Sequence, residues 1–366
     1  FHYRKPRLDD EMSSAVLDRY LESLDANRSF FSARDVAAFE RYRLTLDDSL
    51  RTGKLDPAFQ IFRRFRERVE QRVAFALDRL QTNQFDFAID EEYRFDRSEA
   101  EWLPDQAALD DLWRRRIKND ILSLRLSGKA EPEIKKTLTK RYQSISRRVT
   151  QMEPTDVFQA FINAFTLSVE PHTSYMSPRL SENFDIGMRL SLQGIGAVLR
   201  SDNEFTEIQS TVPGGPAESS GELKGGDRIV GVAQGDDGEM EDVIGWRLQD
   251  VVDLIRGPKD SVVRLNILPK SQGVAGRTRE VILVRDQIKL EDKAAKSEVI
   301  ETGNGLRVGV IEVPAFYRDF AGQAAGDENF RSTTRDVRKL LDELQAQQVD
   351  GVIIDLRRNG GGSLSE

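Results

Sequence analysis

The sequence predicts a multidomain chain in which an all-α N-terminal domain is followed by a small β domain with two helices and by the start of an α/β domain. Up to residue 186 the chain is charged, poor in glycine and apolar at helical spacing. From 187 to 286 short β-like runs alternate with glycine and proline, and from 287 to 366 a strand–helix–strand pattern follows. The 366 residues suffice for two or three domains.

Three apolar stripes predict helices in the N-terminal domain, residues 1–186, which ends in a linker. The first stripe begins after Asp56-Pro57, a capping residue followed by proline at the first helical position. The arginine runs between the stripes are predicted to be solvated helix faces. The stripes consist of Phe62, Phe65, Val69, Val73, Ala76 and Leu80; of Leu109, Trp113, Ile117, Ile121 and Leu124; and of Ile134, Leu138, Tyr142, Ile145, Val149 and Met152.

Residues 187–286 are predicted to form a five-stranded domain. One helical turn is expected over Pro216 to Ser220 and a longer helix over Gly245 to Ile255, closed by Gly257-Pro258. About 100 residues suffice for one independent core. The predicted strands are Ile195 to Leu199, Glu204 to Ser210, Asp227 to Val232, Val262 to Leu268 and Thr278 to Arg285.

Residues 287–366 are predicted to begin a parallel α/β sheet. Leu306 to Val313 reads as a strand, Ser332 to Gln348 as a helix with Val337, Leu341 and Leu344 inward, and Val349 to Leu356 as a buried strand. A parallel sheet needs more strands and covering helices than the ten residues after the last strand supply. We therefore expect the sequence to be a fragment of a longer protein with an incomplete third domain.

Composition excludes several classes of site. The formal net charge of −8 argues against a duplex nucleic-acid binder, which usually needs a basic face. The absence of cysteine excludes disulfides, thiolate metal sites and a cysteine nucleophile, and only His2 and His172 are available for imidazole chemistry. No apolar run is long enough for a membrane span. We expect no metal and no cofactor.

A glycine-rich turn, Asp355 to Ser363, follows the last predicted strand. Three consecutive glycines let backbone N–H groups approach a substrate closely, as in an oxyanion hole or a phosphate loop. The phosphate interpretation is weaker because Ser-Leu-Ser follows the glycines where a nucleotide loop has lysine. A merely permissive strand-to-helix turn remains the alternative. Ser363 lacks an adjacent base, and Asp355 with Arg357 is predicted to be a structural ion pair.

A second glycine loop, Leu192 to Val198, leads into the first strand of the middle domain. Its N–H groups lie beside a strand edge, where an extended peptide can add as a further strand and place its terminal carboxylate. Periodicity cannot separate residues that line the adjoining pocket from residues that pack the helix onto the sheet. The candidate peptide-binding residues are Gly194, Ile195, Gly196 and Ala197 in the loop and Leu248, Val251, Val252 and Ile255 on the helix.

The segment Glu170 to Pro178 joins the helical part to the middle domain. Its single histidine, His172, has no second histidine and no acidic partner that the sequence fixes. The segment is therefore predicted to be structural.

These features, in this order, resemble the tail-specific or C-terminal processing proteases of serine peptidase family S41, in the long bacterial Prc/Tsp form. The resemblance covers essentially the whole chain. Its motifs are Asp18-Arg-Tyr-Leu21, Glu170-Pro-His-Thr-Ser-Tyr175, Gly194-Ile-Gly-Ala-Val198, Val212-Pro-Gly-Gly-Pro-Ala217, Gly226-Asp-Arg-Ile-Val230, Asp242-Val-Ile-Gly-Trp-Arg-Leu248, Leu254-Ile-Arg-Gly-Pro-Lys259 and Asp355-Leu-Arg-Arg-Asn-Gly-Gly-Gly362.

The resemblance implies a PDZ domain at 187–286 that receives apolar C-terminal tails of protein substrates, and the start of an S41 peptidase core at 287–366. Gly362, with Gly361 beside it, would supply an oxyanion-hole N–H. The family's Ser-Lys dyad lies downstream of this turn and hence beyond residue 366, so the chain itself is expected to bind tails without cutting them. The family also implies a periplasmic protein that a helical-repeat lipoprotein adaptor can serve.

The rival interpretation is a non-catalytic PDZ scaffold, in which the helical and PDZ domains bind partners and the α/β part is only structural. A small-molecule binder that uses the glycine turn is disfavoured, because nothing around the turn reads a nucleotide.

Overall fold

A computed structural model describes residues 3–82, 85–272 and 276–366. The chain divides into two compact units, residues 1–177 and 178–366. His2 lies outside the described residues. Within the described ranges, no helix combines the length and the apolar character that crossing a membrane requires.

The first unit is helical, as predicted. Its core contains the three apolar stripes, and among its largest fully buried side chains are Trp113, Tyr20, Tyr142 and Phe161. The indole Nε1 of Trp113 donates to the backbone oxygen of Ser29 at 2.7 Å, so this large ring is buried without an unsatisfied donor. The helices are α1 (Asp10–Leu24), α2 (Ala33–Phe39), α3 (Leu46–Thr52), α4 (Asp56–Thr82), α5 (Gln106–Leu126), α6 (Glu131–Thr150) and α7 (Pro154–Val169).

The arginine run on α5 is not a freely solvated face, contrary to the expectation from its sequence. Arg114 donates to Glu91 and to Asp111, and Lys118, one turn further on, also donates to Glu91. The distances from Arg114 Nη2 and from Lys118 Nζ to the Glu91 carboxylate are both 2.5 Å. These hydrogen bonds, first from Arg114 and then from Lys118, lower the pKa of Glu91 to about 2. The ion pairs attach the irregular segment before α5 to the helix surface.

The second unit begins with α8 (Pro178–Arg189), and its central sheet forms the predicted β domain. Its elements are β2 (Ala197–Asp202), β3 (Phe205–Thr211), α9 (Pro216–Ser219), β4 (Arg228–Gln234), β5 (Glu241–Asp242), α10 (Leu248–Ile255), β6 (Val262–Leu268) and β7 (Arg279–Val284). The strand order is β2-β3-β4-β6-β7, and a short sixth strand, β5, pairs with β4. Most buried apolar side chains of these strands form one core with those of α9 and α10, and Phe205, Val230 and Leu268 form a smaller second cluster.

Two short strands flank this sheet and were not predicted. β1 (Ser191–Gly194) pairs antiparallel with β8 (Asp286–Lys289), in a register that places Gly194 opposite Asp286. The pair brings the chain entering the β domain next to the chain leaving it.

The last part of the unit contains the predicted strand–helix–strand motif. β10 (Arg307–Glu312) and β11 (Gly351–Asp355) are parallel, with α11 (Phe320–Ala324) and α12 (Thr333–Ala346) between them. An unpredicted strand, β9 (Lys296–Glu301), pairs antiparallel with the other side of β10. Helix α12 packs so closely on β10 that a methyl group at Gly309 would lie 2.7 Å from Leu344 Cδ1.

Two burial predictions for this part are wrong. Leu341 is 39% exposed, whereas Leu344 is 1% exposed and carries the contact of α12 with the sheet. β11 was expected to be buried, but its apolar side chains, including Val352, Ile353 and Ile354, face solvent. The physical reason is that β11 is the edge strand of its sheet and no described element covers these side chains.

Candidate functional site: a peptide groove and a glycine turn

A groove lies between β2 and α10, where the sequence predicted it. β2 pairs with β3 along one edge, and no described strand pairs with its other edge. Helix α10 runs beside that edge and encloses a cavity of about 320 Å³. Seven of the eight predicted peptide-binding residues line the cavity: Gly194, Ile195, Gly196, Ala197, Leu248, Val252 and Ile255.

The eighth residue, Val251, faces the opposite way. Its side chain is fully buried in the core between α10 and the sheet and does not line the groove. Ile255 belongs both to the core and to the groove, because its side chain is 4% exposed and also borders the cavity. Neighbouring valines on one helix thus have separate tasks, with Val252 on the groove and Val251 in the core.

The loop that closes one end of the groove presents backbone donors. The oxygens of Ile195 and Gly196 accept hydrogen bonds from Ala217 and Val212 at 2.8 Å, so both carbonyls face the 212–217 segment. In a trans peptide the N–H points away from its C=O, so the N–H groups of Gly196 and Ala197 point away from that segment. Within the described chain, neither Ile195 nor Gly196 has an acceptor for its N–H.

Glycine is required at the turn of this loop. Gly196 has φ +70°, in the left-handed region, and a methyl group there would lie 3.2 Å from the Cα of Gly215. A loop with free N–H groups and inward carbonyls can bind a carboxylate without any charged side chain.

Two polar residues of the groove were missed by the sequence reasoning. Arg256, the residue after α10, lines the cavity, and so does Asn183 of α8, whose Oδ1 accepts from Arg256 Nη1 at 2.8 Å. A methyl group at Gly194 would lie 3.8 Å from Arg256 Cγ, so the arginine stem borders the glycine loop. Arg256 stood inside the recognised Leu254 to Lys259 motif, but only the fold brings it to the loop.

A buried arginine fixes the end of α10. Arg285, which is 2% exposed, donates from Nε to the oxygen of Ile255 at 2.8 Å and from Nη2 to the oxygen of Leu254 at 3.0 Å. Further bonds reach Val262 and Gln234. A cation against the carbonyls at a helix C-terminus is favourable, and here it holds the helical wall of the groove in place.

The glycine turn after β11 is held by backbone hydrogen bonds to the segment after β10. The N–H of Phe316 donates to Gly361 O at 2.8 Å, and the N–H of Ser363 donates to Phe316 O at 2.7 Å. Asn359 bridges from Nδ2 to Val313 O at 2.9 Å. Gly362, between the two bonded positions, is therefore fixed although it is exposed.

The two candidate donors of this turn differ. The N–H of Gly361 donates to Asn359 Oδ1 at 2.7 Å, whereas the N–H of Gly362 has no acceptor among the described residues. Both glycines have positive φ, +91° and +139°. Asp355 and Arg357 form the predicted ion pair at 2.7 Å, and hydrogen bonds from Arg357 lower the pKa of Asp355 to about 2. This arrangement leaves one preorganised donor free.

The segment around His172 is held by the first unit. Asn163 receives the N–H of Tyr175 at 2.6 Å and donates to its oxygen at 3.1 Å, and Tyr175 packs edge-on against Phe158. Glu170 is buried and accepts from Thr173. In the part of the chain that the structure describes, no group of three or more acidic or imidazole side chains is placed to hold a metal ion.

Family models match three consecutive parts of the chain. The tail specific protease N-terminal domain matches residues 1–179, the PDZ domain matches residues 183–268, and peptidase family S41 matches residues 307–366.

Individual relatives and one solved structure are also similar to the chain. The chain is 41% identical over its whole length to half of the tail-specific protease of Haemophilus influenzae, and 26% identical over 63% of its length to 43% of the carboxy-terminal processing protease CtpA of Bacillus subtilis. Among solved structures, the PDZ domain of a carboxy-terminal protease from Vibrio cholerae in complex with peptide is 51% identical, covering 28% of this chain and all of that chain, with a TM-score of 0.26. The chain spans about half the length of the curated relatives it matches.

Proposed function

Because the chain belongs to the tail-specific protease family of S41 peptidases, we propose that it captures apolar C-terminal tails of protein substrates in its PDZ groove for cleavage by a serine endopeptidase. One observation carries the capture step: the open edge of β2 ends at a loop whose Ile195 and Gly196 N–H groups have no acceptor in the described chain, and the Gly196 N–H points away from the 212–217 segment. An added tail strand would bond to this edge and place its carboxylate on those donors.

The walls of the groove suit an apolar last residue. Leu248 and Val252 on α10 and Leu192 on β1 contribute aliphatic surface, and none of the residues that line the cavity is acidic. Arg256 adds a positive charge beside the glycine loop, and no described carboxylate forms an ion pair with it. A tail that ends in an aliphatic residue and a free carboxylate satisfies both the apolar wall and the donors.

The cleavage step in this proposal uses a Ser-Lys dyad that lies beyond residue 366, with Gly362 as an oxyanion-hole donor. Support comes from the free N–H of Gly362 and from its position at the carboxyl end of a parallel strand, where α/β sheets place their active sites. In this proposal the protein acts in the periplasm and receives some substrates through a helical-repeat lipoprotein adaptor. The 366-residue chain alone binds tails and does not cleave them.

Peptide binding to the 366-residue chain tests the capture step. A fluorescent peptide with an apolar, free C-terminus should bind, and its C-terminally amidated twin should bind roughly 10- to 100-fold more weakly, because charge-assisted hydrogen bonds contribute about 1.5–3 kcal/mol. Equal affinity of the two peptides would refute carboxylate recognition. Incubating the longer parent protein with a tailed model substrate then separates a protease from a PDZ scaffold, since a scaffold leaves the substrate intact.

A further inference from the structure

Helix α8 lies at the start of the second unit, and two of its polar side chains reach the groove helix. Arg179 of α8 forms ion pairs with Asp250 and Asp253 of α10, at 3.0 and 3.1 Å. One turn after Arg179, Asn183 bonds to Arg256 at the end of α10. These contacts link α8 to α10, and one polar α8 side chain, Asn183, borders the cavity that Leu192, Gly194 and Val252 also line.

The amide oxygen of Asn183 has a hydrogen-bond partner, whereas its amide nitrogen has none among the described residues. Arg256 Nη1 is a donor, so the atom of Asn183 that faces it must be the oxygen, and the amide nitrogen is directed elsewhere. That Nδ2 group has no acceptor among the described residues. The two N–H groups of this half-buried amide lie at a cavity without any acidic lining residue and are available to an acceptor from a ligand.

We propose that Asn183 of α8 donates a hydrogen bond to the terminal carboxylate of the bound tail, so that α8 forms a third wall of the groove and reads the end of the chain. The inference rests on the proposed tail capture. It adds a specificity-determining side chain from α8, at the first residue of the PDZ match, to the backbone donors of Ile195 and Gly196.

The charge balance at this end of the groove favours a carboxylate over a neutral carbonyl. The donors there are two loop N–H groups, the Asn183 amide and the remaining N–H groups of Arg256, and no described carboxylate is paired with this guanidinium. A carboxylate has two oxygens and accepts several hydrogen bonds at once, whereas a single carbonyl leaves some of these donors unpaired. The same donors disfavour an amidated terminus, which brings its own N–H₂ group.

The substitution Asn183→Asp tests the inference with almost no change in shape. Oδ1 still accepts from Arg256, but the second carboxylate oxygen replaces the free donor and places a negative charge against the carboxylate of the tail. We expect the dissociation constant of the free-acid peptide to rise by about 10-fold or more, since like charges in contact are strongly unfavourable. The affinity for the amidated peptide should change by less than about 2-fold, so the discrimination between the two peptides falls.

Ser181→Asp is the matched control, because it adds the same charge to an exposed position of the same helix. It should leave both affinities unchanged. Asn183→Leu, with its melting temperature compared with that of the unmodified chain, is the second variant and should weaken free-acid binding by roughly 3- to 10-fold. Unchanged free-acid affinity in both Asn183 variants would overturn the assignment, as would equal losses for the acid and the amide. Failure of the unmodified chain to discriminate between the two peptides would instead refute the proposed tail capture.

Discussion

Replacing Gly362 by alanine should disable the glycine turn while leaving the peptide groove intact. A methyl group at this position would lie 2.8 Å from the carbonyl carbon of Phe316, 3.0 Å from its nitrogen and closer still to its oxygen. Backbone atoms cannot move aside as a flexible side chain can. The φ of +139° is also outside the range that an L-residue adopts readily.

The size of the effect on the turn follows from the steric overlap with Phe316 and from the backbone strain at Gly362. Strain at such a backbone conformation costs about 1–3 kcal/mol, and the overlap with Phe316 forces the turn to separate from its neighbour. The bonds from Ser363 N to Phe316 O and from Phe316 N to Gly361 O are then lost. With the free N–H displaced, we expect the parent enzyme to lose roughly 10²- to 10³-fold in kcat, the usual cost of removing one oxyanion-hole donor.

Two assays separate the structural change at the glycine turn from its effect on catalysis. Amide hydrogen exchange on the 366-residue Gly362→Ala chain should show faster exchange at Phe316 and Ser363, with peptide affinity unchanged. Gly361→Ala is the control, because a methyl group there meets no atom within 4 Å although φ is also positive. It should perturb exchange less. A parent enzyme that carries Gly362→Ala and retains full activity would refute the oxyanion-hole role.

Two further outcomes are expected. Val252→Ala should weaken tail binding by roughly 3- to 10-fold with little change in stability, whereas Val251→Ala should lower the unfolding free energy by about 1–3 kcal/mol with little change in affinity. Peptide titration measures the affinity and urea unfolding measures the stability. If the two variants had the same effects, the assignment of the two faces of α10 would be wrong. Glu91→Gln should destabilise the helical unit at neutral pH. Because Arg114 and Lys118 lower the pKa of Glu91 from 4.5 to about 2 in the folded chain, the stabilisation is present above pH 4.5 and lost as pH falls through about 2. A variant effect that is the same at pH 7 and pH 2 would show that the charge of Glu91 does not contribute.

In the helical unit, periodicity predicted α4, α5 and α6 because each of these long helices buries a single stripe, whereas α1, α2, α3 and α7 were not assigned individually. Phe62 to Leu80 and Leu109 to Ile121 are in the core as expected. β1, β5, β8 and β9 were missed because they have two to six residues each and are stabilised by pairing with partners distant in sequence, which a local pattern does not report. The apolar run of β11 looked buried, although the edge position of the strand leaves it exposed.

The site was predictable where the backbone determines it. Glycine positions identified both loops, because only particular residues permit such turns. The contributions of Asn183, Arg256 and Arg285 required the fold, since nothing in the sequence indicates that α8 side chains reach α10 or that Arg285 reaches the end of that helix. Val251 and Val252 were indistinguishable for the same reason, because a helical period alone does not assign the two faces of a short helix.

The groove loop and the turn at Gly362 both use main-chain N–H groups as donors. Such groups do not titrate, so the donor side of each proposed contact is the same at every pH at which the protein is folded, and only protonation of the tail's own carboxylate would weaken binding in the groove. Nor can they be removed by exchanging a side chain, except at the glycines that shape the loops. In the proposed capture step, mutational change in tail preference therefore arises in the side chains that surround the loop, Asn183 among them, whereas the main-chain share of carboxylate recognition stays constant.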